Sequence, residues 1–313
     1  MKFGVLMLYF NAERTISRCI DNCAPFVNTI YISYSPEPFS KYNSRARELH
    51  KNQSSLEVVK KSRYSNKIKI IQGVWDSEED QRNAVVDLAR TDGIDYLIVQ
   101  DPDEFYLPEA YQKNIQGILQ QPAYPFYYVP WINFWKNLQT VAVGRENIWG
   151  TKKTIYSDCP NFAINLRDFP DLKFVDKRGV NAPYNQCLKL NGLCYHLSYV
   201  YSDTELQTKI QTWSHSHQVS ANWFYYKWLG FDRNRTRFIH PIAGPSWLKA
   251  KKFLGVLPDE LKDFPRLDQK SIQLNASERV KEWILDIALL AQYYWAKTKG
   301  NIAFALKIGQ FKS

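Results

Sequence analysis

Three acids crowd one short segment, Gln100-Asp101-Pro102-Asp103-Glu104-Phe105, directly after the apolar run Tyr96-Leu97-Ile98-Val99. Pro102 biases Asp101 away from the helical region, and residues two apart in an extended segment face the same side. Asp101 and Asp103 are therefore expected to offer two hard oxygen donors together. Such a pair suits Mg²⁺ or Mn²⁺ bridging a diphosphate, with coordination positions left for phosphate oxygens and water. The rival reading is an acidic turn that only closes a strand.

The elements that must carry this segment are legible upstream, where strand and helix signals alternate as in a parallel sheet with crossover helices. Phe3–Tyr9 reads as a buried strand, 12–23 as a helix with Ile16 and Ile20 on one face, and Thr29–Tyr34, 68–74 and Tyr96–Val99 as further strands. Ser77 with Glu78, Glu79 and Asp80 is a capping-box arrangement; it opens a helix whose stripe of Ala84, Val85, Leu88 and Ala89 ends at Gly93. The fold class is α/β, and the acids stand at the carboxyl end of a strand, the edge where open α/β sheets bind ligands. Between the second and third strands, 35–67 is polar and basic and reads as a solvated helix and loops, with a phosphate- or lipid-facing patch as the alternative. Beyond Tyr111 the pattern loosens, and 151–195 is irregular, with Asp158, Asp168, Asp171 and Asp176 among Pro and Asn. A helix over 278–299 with Trp283, Ile284, Ile287, Leu290, Tyr294 and Trp295 closes the chain. Packing on the body is the first expectation for it, and peripheral docking on an anionic membrane the second.

Composition narrows the class. Of 313 residues, 45% are apolar and 23% charged, which excludes a largely disordered or fibrous chain. No apolar run reaches the ~18 residues that span a bilayer. The apolar start soon meets Asn11, Glu13 and Arg14 without a cleavage site, so a first strand and a cytoplasmic location are expected, with the inner membrane face as a site of peripheral contact. Lys and Arg number 41 against 31 acids, a net charge of +10 that attracts polyanions of any kind. The basic residues are spread along the chain and no recognisable motif gathers them with aromatics, so no nucleic-acid partner is expected. Five cysteines at 19, 23, 159, 187 and 194 lack C-x-x-C spacing and read as thiols, not as a disulfide framework or a zinc ribbon.

Gln81-Arg82-Asn83 on a helix, then a short apolar strand, then Asp101-Pro102-Asp103-Glu104-Phe105, resembles the nucleotide-sugar glycosyltransferases of the GT-A fold, family 2 types in particular. The acidic run is similar to their D-A-D-E-F form of the D-x-D motif, with Pro in place of Ala, and Tyr9-Phe10-Asn11-Ala12-Glu13 is similar to a Y-N-x-E opening interrupted by Phe10. Farther on, Tyr195-His196-Leu197-Ser198-Tyr199 with Lys209, Ser214 and His215 also resembles such enzymes, including the family that adds bisecting N-acetylglucosamine. The resemblance implies a mostly parallel central sheet flanked by helices over 1–240, with a nucleotide-binding half over 1–110, an acceptor half over 111–240 and a helical extension over 241–313.

It further implies a metal, Mn²⁺ or Mg²⁺, on Asp101 and Asp103, with His196 returning as a ligand. Asn11, Arg82, Asn83 and Asp101 are then donor-binding, although Arg82 is equally read as an ion pair with the strand-end acids. The family's D-D-G-S-x-D run is replaced by Ser33-Tyr34-Ser35-Pro36-Glu37, so base recognition falls to Tyr34 or Trp75 by stacking and to Glu37 as acceptor. Inversion, which the resemblance also implies, needs a carboxylate to take the acceptor's proton; Asp176 is the first candidate and Glu104 its rival. Trp131, Trp135 and Trp149 are candidates for a sugar platform or for the core. The activity implied is hexosyl or N-acetylhexosaminyl transfer from a UDP-linked donor to a glycan, polysaccharide or lipid-linked hydroxyl. The alternatives are a sugar nucleotidyltransferase, against which the missing Gly-rich phosphate loop counts, and a non-catalytic protein that binds polyanions.

Overall fold

In a computed structural model the described residues are 1–41, 43–145, 153–154, 156–158, 161–242 and 246–310. Strand β1 (Phe3–Tyr9) is buried along almost its whole length, and helix α1 (Glu13–Cys23) lays Ile16, Cys19, Ile20 and Cys23 over the sheet. β2 (Thr29–Tyr34) follows, then two short helices, α2 (Ser44–Leu49) and α3 (Leu56–Lys60), in the polar stretch. β3 (Ile68–Gln72) ends two residues before the sequence reading.

The Ser77 hydroxyl accepts from the Asp80 N–H at 3.2 Å and caps α4 (Glu78–Thr91). At the other end Gly93, at φ +69°, closes a Schellman motif: its N–H reaches the Arg90 carbonyl and that of Ile94 reaches Ala89, both at 2.9 Å. β4 (Tyr96–Val99) then lies fully buried beside β1.

After β4 come β5 (Glu104–Tyr106), α5 (Pro108–Gln120), β6 (Phe126–Tyr128), β7 (Pro130–Trp135), β8 (Asn137–Arg145), β9 (Lys153–Thr154), β10 (Tyr156–Asp158), β11 (Ala163–Asn165), β12 (Phe174–Asp176), β13 (Gly179–Val180), β14 (Cys187–Lys189), β15 (Cys194–Tyr199), α6 (Asp203–Thr212), β16 (Trp247–Lys252) and α7 (Ala276–Gln310). Most of these strands are two or three residues long, and strands that short carry no readable period.

The central sheet runs β14-β6-β11-β4-β1-β2-β3 and is parallel throughout except at β11. The chain winds outward from β1 to β3 and then crosses back to place β4 on the other side of β1, so β1 and β4 flank a topological switch point. A second sheet, β16-β8-β7-β15-β5, packs its aromatic face into a cluster of Trp135, Tyr199, Trp223, Trp228 and Trp247. β16 belongs to that sheet, so the stretch 241–313 is not helical throughout as the sequence reading had it. Among the described residues no helix is long and apolar enough to cross a membrane.

Candidate active site

A cavity of about 1330 Å³ opens beyond the carboxyl ends of β1, β2 and β4, lined at its base by Arg82, Asp101, Asp103, Arg178, His196 and Lys209. The segment after β4 is not extended. The Glu104 N–H bonds the Asp101 carbonyl at 2.9 Å, which makes 101–104 a tight turn with Asp first and Pro second, an arrangement that proline's fixed φ favours. Both carboxylates line the cavity, but Asp101 and Asp103 meet different partners, where the extended reading put both on one side.

Asp101 is turned onto two guanidiniums. Arg82 Nη2 reaches its oxygens at 3.0 and 3.2 Å and Arg178 Nη2 at 3.2 Å. Arg82, only 1% exposed, also grips Glu78 at 2.8 Å, so the ion-pair reading of this arginine is the one the geometry supports. Burial pushes the Asp101 carboxyl up, but Arg82 and Arg178 outweigh it and hold it at about 2. Arg178 reaches both oxygens of Glu104, at 2.7 and 2.9 Å. It sits in the two-residue turn between β12 and β13, where Lys177 at φ +50° lies in the left-handed region and swings the following side chain inward. Burial raises the Glu104 carboxyl well above its ordinary range while Arg178 pulls it back.

Asp103 faces a different set. Lys209 Nζ lies 3.2 Å from Oδ2, the Tyr201 hydroxyl donates to the same oxygen at 3.3 Å, and His196 Nε2 stands 3.7 Å from Oδ1. His196 Nδ1 lies 2.8 Å from the Asn133 side-chain oxygen. With Nδ1–H donating to that oxygen, the tautomer leaves the Nε2 lone pair directed at Asp103, the same hydrogen-bonded support that orients metal-binding histidines. Burial lowers His196 to about 4, against the opposing pull of Asp103, so the ring is neutral near pH 7. Donor atoms of Asp103, Glu104 and His196 lie within 4.8 Å of one another, a mixed imidazole and carboxylate set able to hold a divalent ion. Asp101, committed to Arg82 and Arg178, stands outside this set.

Other residues singled out by sequence divide in two. Asn11, Glu37 and Asp176 line the cavity. Asn11, at φ +50°, accepts from the Gln53 N–H at 2.7 Å and so ties the end of β1 to the 52–55 loop; Glu37 pairs with Lys51 at 2.6 Å. Asp176 is exposed at the cavity rim, 73% for its side chain. Tyr34, Trp75 and Asn83 do not line the cavity. Tyr34 packs edge-on against Tyr9, Trp75 folds over Gly73, and Asn83 holds both backbone groups of Phe174 at 2.9 Å. Asp168 and Asp171 also lie away from it, in the loop before β12. Trp131 lines the cavity 4.2 Å from the His196 ring, centroid to centroid, whereas Trp135 is core. Trp149 and the side chain of Asp158 lie outside the described residues.

Sequence reasoning missed Arg178, Glu78, Tyr201 and Asn133. The signal for Arg178 was the run Phe174-Val175-Asp176-Lys177-Arg178-Gly179-Val180, two short strands about a tight turn, and that for Glu78 its i,i+4 spacing to Arg82 on one helix; Tyr201 and Asn133 carried none.

His240 forms part of the same wall, ring to ring with Trp247 at 4.6 Å, and its Nδ1 accepts from the Ile242 N–H at 3.2 Å. Burial lowers it to about 3. Its folded value lies below the unfolded one, so its contribution to stability is complete above pH ~6.5 and is lost as pH falls toward 3. Between pH 7 and 5 this residue alone is expected to cost about 2 kcal/mol, a decline that urea titrations of His240→Phe should lack. Equal pH slopes for the two proteins would refute this assignment.

No protein-family model and no curated protein matches the sequence. Among solved structures, Staphylococcus aureus TarS (residues 1–349) shares 13% identity at a TM-score of 0.35, covering 63% of this chain and 61% of that one. Mannose-1-phosphate geranyltransferase from Thermus thermophilus shares 13% at 0.30, covering 47% of each chain. The 4-diphosphocytidyl-2C-methyl-D-erythritol synthase of Anaerococcus prevotii shares 11% at 0.35, covering 61% of this chain and 89% of that one. This chain thus spans less than two thirds of the TarS fragment, and likenesses this weak do not bear on its activity.

Proposed function

We propose that this protein is a GT-A-type transferase that moves a sugar from a nucleoside-diphosphate sugar, UDP-linked, to a hydroxyl of a glycan or lipid-linked acceptor. The observation that carries the reading is the pairing of Asp103 with a neutral, Asn133-oriented His196 at the floor of a cavity on the β1/β4 switch point. Asp103 and His196, with Glu104 within reach, would hold Mn²⁺ or Mg²⁺. When bound, such an ion neutralises charge building on a leaving diphosphate.

The chain's own residues supply the rest. Lys209, held by Asp103, Tyr201 and the Ser198 carbonyl at 3.0 to 3.2 Å, adds a fixed positive charge beside the phosphate position. Arg82 and Arg178 keep Asp101 and Glu104 in place, which fixes the turn that presents Asp103. Trp131 offers an apolar wall for a sugar ring. Of the two candidate bases, Glu104 has both oxygens on Arg178 and is 1% exposed, so Asp176 at the open rim is the group able to take a proton from an incoming hydroxyl.

The test is a screen of nucleotide sugars for hydrolysis with Mn²⁺ and with chelator. Metal-dependent release of a nucleoside diphosphate is the expected outcome. Release of pyrophosphate from a nucleoside triphosphate and a sugar phosphate would replace this reading with nucleotidyl transfer. Salt-sensitive DNA binding with no turnover of any donor would overturn both.

A further inference from the structure

Among its described residues, helix α7 touches the body on one side. Leu289 and Glu282 are buried, Lys227 Nζ lies 3.2 Å from Glu282 and 2.5 Å from Asp286, and the Tyr225 hydroxyl donates to Glu278 at 2.6 Å. The opposite side is apolar and bare. Val280, Trp283, Ile284, Ile287, Ala288 and Ala291 are all exposed, Trp283 to 63%, and at 3.6 residues per turn they fall within a sector of about 140°. Tyr294 and Trp295 carry the exposed run onward. Contiguous apolar surface of this kind marks an interaction site.

Charge decides the occupant. The acids of the helix, Glu278, Glu282 and Asp286, are all spent on the body, while exposed Lys281 borders the stripe. After Asp286 the sequence carries Lys297, Lys299, Lys307 and Lys312 and no acid. Two copies meeting stripe to stripe would oppose lysine to lysine, where paired helices need complementary flanking charges. A helix with Trp and Ile on one face, Lys281 at its border, a lysine-rich sequence beyond and, among the described residues, no stretch apolar enough to span is built to lie in the plane of a negatively charged lipid surface.

We infer that the outward stripe of α7, centred on Trp283, Ile284 and Ile287, docks the protein on an anionic lipid bilayer. Flotation of the full chain with phosphatidylcholine vesicles, with and without phosphatidylglycerol, tests this, and it reads no donor chemistry. Binding is expected to the anionic vesicles alone and to weaken with salt. The double variant Ile284→Asp/Ile287→Asp should lose about tenfold or more of that partition with an unchanged melting temperature. Should its melting temperature shift, Trp283→Ala becomes the deciding variant, with a severalfold loss expected. Wild type that stays off anionic vesicles, or variants that float as wild type does, would overturn the inference. A dimer in sedimentation velocity that the double variant dissolves would also overturn it, by making the stripe an interface between copies.

Discussion

Asp103→Ala is expected to lower metal-dependent donor turnover by about 10³-fold, since a metal's charge stabilisation amounts to several kcal/mol and ~4 kcal/mol corresponds to that factor. The same variant should lose Mn²⁺ binding by calorimetry. Its fold should survive, because Asp103 lies at the cavity floor and its partner Lys209 keeps the Ser198 carbonyl at 3.0 Å and the Tyr201 hydroxyl at 3.2 Å. Asp101→Asn gives the discriminating comparison. If Asp101 serves the turn and not the ion, that variant keeps Mn²⁺ affinity within a few-fold while losing stability. Full turnover in Asp103→Ala would remove the basis of the proposed reaction.

The largest expected effect on stability lies at Arg82. This guanidinium is 1% exposed and joins Glu78 to Asp101, at 2.8 and 3.0 Å. Replacing it with Met keeps most of the volume and strips one countercharge from each of two carboxylates. Breaking a buried pair in this way costs about 3 to 5 kcal/mol, which for a chain of this size corresponds to a melting temperature lower by roughly 5 to 8 °C. The sign of the pH dependence follows from Asp101. In the wild type its carboxyl is depressed to about 2, so its contribution to stability is present above pH ~4 and is lost as pH falls toward 2. In Arg82→Met that carboxyl protonates at higher pH, and the acid limb of the stability curve should flatten. Calorimetric melts across pH 2 to 7 check both statements. A melting temperature within a degree of wild type at pH 7 would refute the role given to this pair.

The sequence alone determined the local frame. β1, β2 and β4 stand where apolar runs marked them, and α4 opens on Ser77 and closes on Gly93, because burial periodicity, caps and a left-handed glycine act over a few residues and are written in those residues. Its placing of acids at the carboxyl end of a buried strand had the same local basis. The divergence of Asp101 and Asp103 was partly written too, as Asp followed by Pro is a turn signature, but the extended reading of the pre-proline residue masked it. What only the tertiary structure decided is which charges meet. Arg178 arrives from a distant hairpin, Lys209 and Tyr201 from α6 and the segment before it, both by packing against the strand-end acids, and Asn133 from β7, whose pairing with β15 sets it beside His196. Contacts between segments so far apart leave no local period, so the partners that turn Asp101 into a structural anchor and leave Asp103 facing His196 follow from the folded chain and not from spacing.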